Sequence, residues 1–397
     1  MRKLFTTVLT VFTAYIANAQ PTIGSGFQTG MAAINGTSYT HTGNIGTGNY
    51  QYVCASKNEP YFFAASFNRN YLYYVDVSTS AIVDSFPATM YDITSSNEDS
   101  TLFGVGNSDV LYRFNTTAKA FVDSTTLTGL WRLEERPGIK EVWATGSSKI
   151  YVVDYTAGLS AAPFTFSPVS SADGGGIHFT PGGSMAYISC SNTNKVYKID
   201  ANTKTVLDSA AVPAGNYCTE VSHDSSKLFV SAPGAYRIYI YNASTLALTD
   251  SINTGTREPF MLYRHPSRQE IWAVNHFKDS VTVYNENTYA VIAAFGISPS
   301  PMHLAFSSGA TGINSLLVNT NDITLYPNPA SKSISLRLPD GKARSLILSD
   351  IFGKCIKKQT VSAENITLDI SALPTGTYNI TILQGSEVLK TMNWVKS

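Results

Sequence analysis

One short pattern is rewritten along most of this chain. Asn194-Lys195-Val196-Tyr197-Lys198-Ile199-Asp200-Ala201-Asn202-Thr203 reads as a strand of alternating side chains closed by an Asp/Asn turn. Versions of it recur at Leu72-Tyr73-Tyr74-Val75-Asp76, Leu111-Tyr112-Arg113-Phe114-Asn115, Ile150-Tyr151-Val152-Val153-Asp154, Ile238-Tyr239-Ile240-Tyr241-Asn242 and Val281-Thr282-Val283-Tyr284-Asn285. The closing residue falls at 76, 115, 154, 200, 242 and 285. A fixed period of roughly 40 residues built from strands implies a β-propeller, in which one repeat makes one blade.

Each repeat carries four strand signals. In the sixth these are Phe260-Met261-Leu262-Tyr263-Arg264, Glu270-Ile271-Trp272-Ala273-Val274, Ser280-Val281-Thr282-Val283-Tyr284 and Ala290-Val291-Ile292-Ala293-Ala294-Phe295. A lone four-stranded sheet cannot bury both of its faces, so such blades must close into a ring. Six full copies leave remainders that complement each other. Ala32-Ala33-Ile34 and Ser38-Tyr39-Thr40-His41 supply two outer strands, and Met302-His303-Leu304-Ala305-Phe306 and Ser315-Leu316-Leu317-Val318 supply two inner ones. Together they predict a seventh blade shared by both ends of residues 20–320. On the fourth strands Asp84, Asp123, Asp208 and Asp250 occupy matching places, where a charge discourages pairing between outer edges.

The first 19 residues read as a signal peptide. Arg2 and Lys3 precede an apolar stretch from Leu4 to Ile16, and Ala17-Asn18-Ala19 sets a cleavage site between Ala19 and Gln20. No cysteine follows the cut to carry a lipid. No run approaches the ~20 apolar residues of a spanning helix, so no transmembrane segment is expected. Lys+Arg and Asp+Glu number 28 each, which gives none of the basic excess of a nucleic-acid binder. Four scattered cysteines, Cys54, Cys190, Cys218 and Cys355, form neither a zinc signature nor a disulfide framework. The secretory setting permits a disulfide, and places on the second strand of blade four and the first of blade five would make Cys190 and Cys218 near neighbours, without implying a bond.

From residue 321 to 397 the ~40-residue period stops and short alternating strands take over, such as Ser333–Leu338, Ser345–Leu348, Ile366–Ile370 and Tyr378–Ile382. The fold class is therefore all-β, a seven-bladed β-propeller followed by a small Ig-like β-sandwich.

Two resemblances add to this reading. Pro181-Gly182-Gly183-Ser184-Met185-Ala186-Tyr187-Ile188-Ser189 followed by Val196-Tyr197-Lys198-Ile199-Asp200 closely resembles the YVTN-type (YncE-like) propeller repeat. The likeness spans about residues 30–320, is clear in blades four to six, and weakens in the first three, where the Pro-x-Gly turn is altered or missing. It implies fold rather than function, because one fold serves many activities. The C-terminal module is similar to the type A sorting domain of the Bacteroidetes type IX secretion system. Its carrying residues are Leu325-Tyr326-Pro327-Asn328-Pro329-Ala330, Asp350-Ile351-Phe352-Gly353-Lys354, Leu368–Tyr378 with Gly376 and Tyr378, and the final Trp394-Val395-Lys396. That resemblance implies recognition by the type IX translocon, export across the outer membrane, and a secreted or cell-surface protein.

The catalytic inventory is mostly negative. There is no Gly-x-Ser-x-Gly, no His-Glu-x-x-His, no phosphate-binding Gly-x-x-x-x-Gly-Lys and no dinucleotide fingerprint, so no cofactor or metal is expected. His223 and His265 follow innermost strands and suit turn capping, whereas His178 and His303 lie on innermost strands and line the channel. The loops entering the innermost strands are aromatic, with Tyr50, Tyr91, Trp131, Tyr217 and Phe260 accompanied by Gln51, Asp92, Arg132, Glu220, Arg257 and Glu258. Aromatic faces beside hydrogen-bonding groups suit a saccharide, peptide or protein ligand at the channel mouth. The same aromatics also suit packing of each loop onto the next blade.

The reading is a non-enzymatic binding module. The enzyme alternative is a metal-assisted lactonase- or lyase-like propeller using Glu134, Glu220, Asp92, Asp173 and His178, and a structural surface-coat component is a third.

Overall fold

The computed structural model describes residues 21–26, 30–57, 59–65, 70–96, 99–106, 109–146, 149–159, 164–166, 176–213, 215–307, 323–338, 344–350, 355–361, 363–384 and 387–397. The chain divides into two compact units, residues 1–312 and 313–397. Strands dominate both. Three single 3-10 turns, Ser191–Thr193, Pro233–Ala235 and His276–Lys278, are the helical elements among the described residues. No helix there is long and apolar enough to cross a membrane.

Between Pro21 and Phe306 the first unit is a β-propeller of four-stranded antiparallel sheets, seven of them among the described residues. In the blade Thr219–Val221, Lys227–Ala232, Arg237–Asn242 and Leu248–Asn253 the four strands pair in chain order. The recurring Asp/Asn of the sequence has a local cause. Its side chain accepts the backbone N–H groups two and three residues on, as in Asp200 with Asn202 and Thr203 at 2.8 and 3.0 Å and Asn242 with Ser244 and Thr245 at 2.9 Å each. Such Asx turns close the hairpin between third and fourth strands. Four residues after the marker the chain turns left-handed, at Ser80, Lys119, Lys204, Leu246 and Tyr289.

A further marker was hidden in the shared sheet. Asn35 accepts from Thr37 and Ser38 at 3.0 and 2.9 Å, and Tyr39 takes the left-handed backbone. This sheet runs Leu304–Phe306, Pro21–Gly24, Met31–Asn35, Thr40–Ile45. The division into two strands from each end is thereby corrected to three from the N-terminal side and one from the C-terminal side. Pro21–Gly24 takes the second place, pairing Ile23 with Ala305 and Thr22 with Phe306. Four residues bounded by proline and glycine show no readable alternation, yet Ile23 is fully buried. Ser315–Val318 lies outside the described residues.

Cores sit between neighbouring sheets. Trp143 packs with Ile177, Phe179, Ile188 and Ile199, and Trp272 belongs to a cluster with Phe229, Ile240 and Leu304. Second strands such as Thr101–Gly106, Glu141–Gly146 and Glu270–Asn275 are buried along their whole length. Outer strands in six of the seven sheets instead carry a β-bulge, Phe164–Phe166 being without one. The register skips Val83, Val122, Leu207, Thr249 and Ile292, placing four large exposed apolar side chains on the outer edge. In four of these sheets the bulge immediately precedes the repeated Asp, and bulge and charge together blunt the edge.

The second unit packs a three-stranded sheet, Thr324–Tyr326, Ser333–Arg337 and Asn365–Asp369, with a four-stranded one ordered Cys355–Val361, Arg344–Asp350, Gly376–Gln384, Glu387–Lys396. Its core holds Ile334, Leu336, Leu348, Ile380 and Trp394. Cys190 and Cys218 are free and lie in different clusters, so they do not pair.

Candidate functional site

Seven innermost strands converge on one axis: Tyr52–Ala55, Tyr91–Ser95, Leu130–Glu135, Ile177–Phe179, Thr219–Val221, Pro259–Arg264 and Leu304–Phe306. Two cavities follow from this convergence. The first, at the end where these strands begin, is about 540 Å3 and is lined by Tyr52, Tyr91, Trp131, Arg132, Tyr217 and Met302, with Gln51 and Asp109 at its side. The second, about 400 Å3, runs along the strands from Arg132 and His303 to Lys57 and Pro266. Arg132 lines both and forms the partition.

The partition is built from buried charge. Arg132 Nη1 faces Asp92 Oδ1 at 3.4 Å and His303 Nε2 at 3.1 Å, and its Nη2 donates to Tyr217 Oη at 3.4 Å. A guanidinium only donates, so His303 Nε2 must carry the lone pair and Nδ1–H must donate to Tyr263 Oη, 3.0 Å away. Burial holds the His303 imidazole well below its usual range, and the neighbouring guanidinium pushes the same way. Burial also raises the Asp92 carboxyl against the pull of Arg132, while the Leu133 N–H donates to Asp92 Oδ2. Each polar group here is spent on another, which makes a fixed floor rather than a reactive centre.

Bulges aim the mouth residues. The ladder skips Asp92 between Tyr91 and Ile93, Trp131 between Leu130 and Arg132, and Phe260 between Pro259 and Met261. A bulged residue is released from the pleat and its side chain is redirected. Asp92 turns inward with positive φ and becomes buried, whereas Trp131 stays 49% exposed.

The expected mouth residues therefore divide. Tyr91, Trp131, Arg132 and Tyr217 line the mouth. Asp92 and Glu220 line the second cavity. Tyr50 is corrected: it is 2% exposed and packs edge-on against Tyr73 at 5.0 Å, within a core that includes Ile23 and Phe62. Its neighbour Tyr52, two residues on and inside the ladder, takes the place at the mouth. Phe260 is corrected as well, packing edge-on against Tyr217 at 4.8 Å and Phe277 at 5.2 Å as a brace behind the site. Arg257 and Glu258 line neither cavity; the Glu258 carboxylate accepts from Tyr236 Oη at 3.3 Å. Sequence reasoning missed Met302, whose place depends on ring closure.

Along the second cavity Glu134, His178 and Glu220 stand at one level, paired with Trp143, Tyr187 and Phe229 of their second strands. Burial pushes the Glu134 carboxyl up to about 8, with Glu220 and Asp92 adding and Lys57 opposing. Burial lowers His178. Among the described residues no group of three or more His, Cys, Asp or Glu gathers as a metal site, and Asp173 lies outside those residues. Away from the channel, His265 Nδ1 accepts the N–H groups of Ser267 and Arg268, and His223 joins Glu286 to the His265 carbonyl at 2.8 Å each.

In the second unit the Tyr-Pro-Asn-Pro segment clamps the last strand. Asn328 accepts the Val395 N–H at 2.9 Å and donates to the Asn393 carbonyl at 3.2 Å, and Ala330 bridges Lys396. Pro327 and Pro329 follow cis peptide bonds, and Tyr326 is exposed. Tyr378, two residues after Gly376, stacks on Trp394 and donates to the Pro374 carbonyl at 2.8 Å. Gly353, Ala19 and Gln20 lie outside the described residues.

Residues 324–396 match the family described as the secretion system C-terminal sorting domain. No curated protein matches the chain. Among solved structures, the chain is similar to the β-propeller domain of Cps50 (Swd1) from Myceliophteria thermophila. The two are 11% identical, with a TM-score of 0.54, over 64% of this chain and 87% of that one. It is also similar to a functionally unknown protein from Desulfotomaculum acetoxidans, at 12% identity and a TM-score of 0.60, over 72% and 99%. At these identities the likeness establishes the fold alone.

Proposed function

We propose that this chain is an exported seven-bladed propeller of YVTN (YncE-like) type that acts as a non-enzymatic binding module, taking a saccharide, peptide or protein segment at its mouth. The sorting domain implies engagement with the type IX secretion machinery and a destination outside the cell or on its surface. In this reading residues 1–19 are a signal peptide, 20–320 the propeller and 321–397 the tag that the translocon reads.

One observation carries the binding reading. Trp131 is half exposed over a concave mouth shared with Tyr52, Tyr91 and Tyr217, while Trp143, Trp272 and Trp394 are fully buried. Other exposed rings, such as Phe277, line neither cavity, whereas Trp131 stands at the wall of the mouth. A large exposed ring beside hydrogen-bonding tyrosines offers apolar area and orientation together. The closed Arg132 floor below it supports recognition rather than turnover.

The test is substitution of Trp131 and Tyr217 by Ala, followed by glycan and peptide binding screens and by melting. Trp131→Ala should weaken binding at least tenfold with stability within about 0.5 kcal/mol, as for an exposed side chain. Tyr217→Ala should cost both, because Tyr217 also packs on Phe260. Destabilisation by Trp131→Ala without loss of binding would overturn the reading.

A further inference from the structure

The cavity beyond Arg132 has a hydrogen-bonding character of its own. It is enclosed by all seven innermost strands and, at about 400 Å3, matches the size of small-molecule sites. Its level of chemical interest is set by Cys54, Thr94, Glu134, His178, Glu220 and Tyr263, one from each of six consecutive blades.

Some of these groups are already committed. Glu220 accepts the N–H groups of Val221 and Arg264 at 2.8 and 2.9 Å, and Tyr263 is held by His303. The Glu134 carboxyl, the His178 ring and the Thr94 hydroxyl have no hydrogen-bond partner among the described residues. His178 Nδ1 is shut away from solvent without a partner. The ring lies over Gly176, where a Cβ would come within 2.9 Å of it, leaving Nε2 as the nitrogen open to the cavity. The glycine is thus required for the ring to stand where it does.

The charges nearly cancel. Asp92 is paired with Arg132, Glu220 and Arg264 contribute one of each sign, and Lys57 is exposed at the far rim. What remains unspent is a set of neutral groups that donate and accept in close succession, beside the rings of Tyr263, Phe306 and Pro266. A hydroxyl also donates and accepts, and the one lining charge left without a counter-charge, Lys57, is exposed at the rim and not inside the chamber.

We infer that this chamber is a second ligand site, separate from the mouth, for a small uncharged polyhydroxylated molecule of monosaccharide size. Glu134 is its main hydrogen-bonding group. Entry is past Lys57, at the end away from Arg132.

The test uses the mature chain and titrates D-glucose, D-galactose, D-mannose and myo-inositol, with D-glucosamine and D-glucuronate as cationic and anionic counterparts. At least one neutral probe should bind, and the charged counterparts at least tenfold more weakly. Glu134→Gln, which keeps a donor and an acceptor, should stay within about threefold of wild type, and Glu134→Ala should lose at least tenfold. Wild-type affinity should fall as pH rises past about 8, where Glu134 ionises among Lys57, Asp92, Glu220, His178 and its own neighbour Glu135. Glu134→Gln should be flat over that range. Trp131→Ala should leave this binding unchanged, which separates it from the mouth. Absence of binding by every neutral probe, preference for glucuronate or glucosamine, equal loss in Gln and Ala variants, or loss in Trp131→Ala alone would each overturn the assignment.

Discussion

At the scale of single residues, the chain buries carboxylates along its axis in different ways. Asp92 is paired with Arg132, Glu220 is held by backbone amides, and Glu134 has only burial and distant charges to set its state. A carboxyl raised from 4.5 to about 8 in the fold keeps a proton that the unfolded chain has already lost between those values. Folded protein binds more protons there, so stability falls as pH rises through that window. The loss is on the order of 1–3 kcal/mol after allowance for partial exposure. Urea unfolding of wild type and Glu134→Gln from pH 5 to 9 should show the variant gaining on wild type as pH rises. Parallel profiles would contradict the assigned state of Glu134. The candidate residues were legible in type but not in direction. Tyr50 and Tyr52 are chemically alike, and only the ladder decides that the first is core and the second lines the mouth. Asp92, Trp131 and Phe260 are each skipped by the ladder, and nothing in their side chains announces a bulge.

At the scale of the element, the repeat was readable because an Asp or Asn stands at the same point of each hairpin, bonding two backbone N–H groups ahead of it at Asp76, Asp200, Asn242 and Asn285 and one at Asn115 and Asp154. The seventh marker, Asn35, ends Met31–Asn35, where Ala32-Ala33 replaces the alternating large side chains of the other copies, and Pro21–Gly24 beside it carries too few residues to show alternation. The outer strands use bulge and charge where a free edge would invite pairing. In the second unit the clamp on the last strand rests on Asn328, whose amide bonds the backbone on both sides of Trp394. Asn328→Ala in the full chain should destabilise the second unit by about 1–2 kcal/mol. It should also speed hydrogen exchange at the Val395 amide, with exchange in the first unit unchanged. An unaltered Val395 rate would mean that the Tyr-Pro-Asn-Pro segment does not hold that strand.

At the scale of the whole molecule, both cavities exist because inner strands from distant parts of the sequence are brought to one axis. The mouth needs Met302 beside Tyr52, and its floor needs His303 against Arg132. Those contacts depend on Leu304–Phe306 being carried back to Pro21–Gly24, where Ser25 also accepts the N–H groups of Met302 and His303 at 2.9 Å. The period of the sequence demanded a ring but left open how its ends would meet, because loop closure over ~280 residues is decided by tertiary pairing and not by local preference. The most direct measurement is residue-resolved hydrogen exchange at Ile23 and Ala305 in the native protein. Both amides should be protected to the level of the sheet interiors and lose protection together as denaturant is added. Rapid exchange at Ile23 while Ala305 and the other inner strands stay protected would mean the ring is closed some other way, and the mouth and chamber described here would lose their foundation.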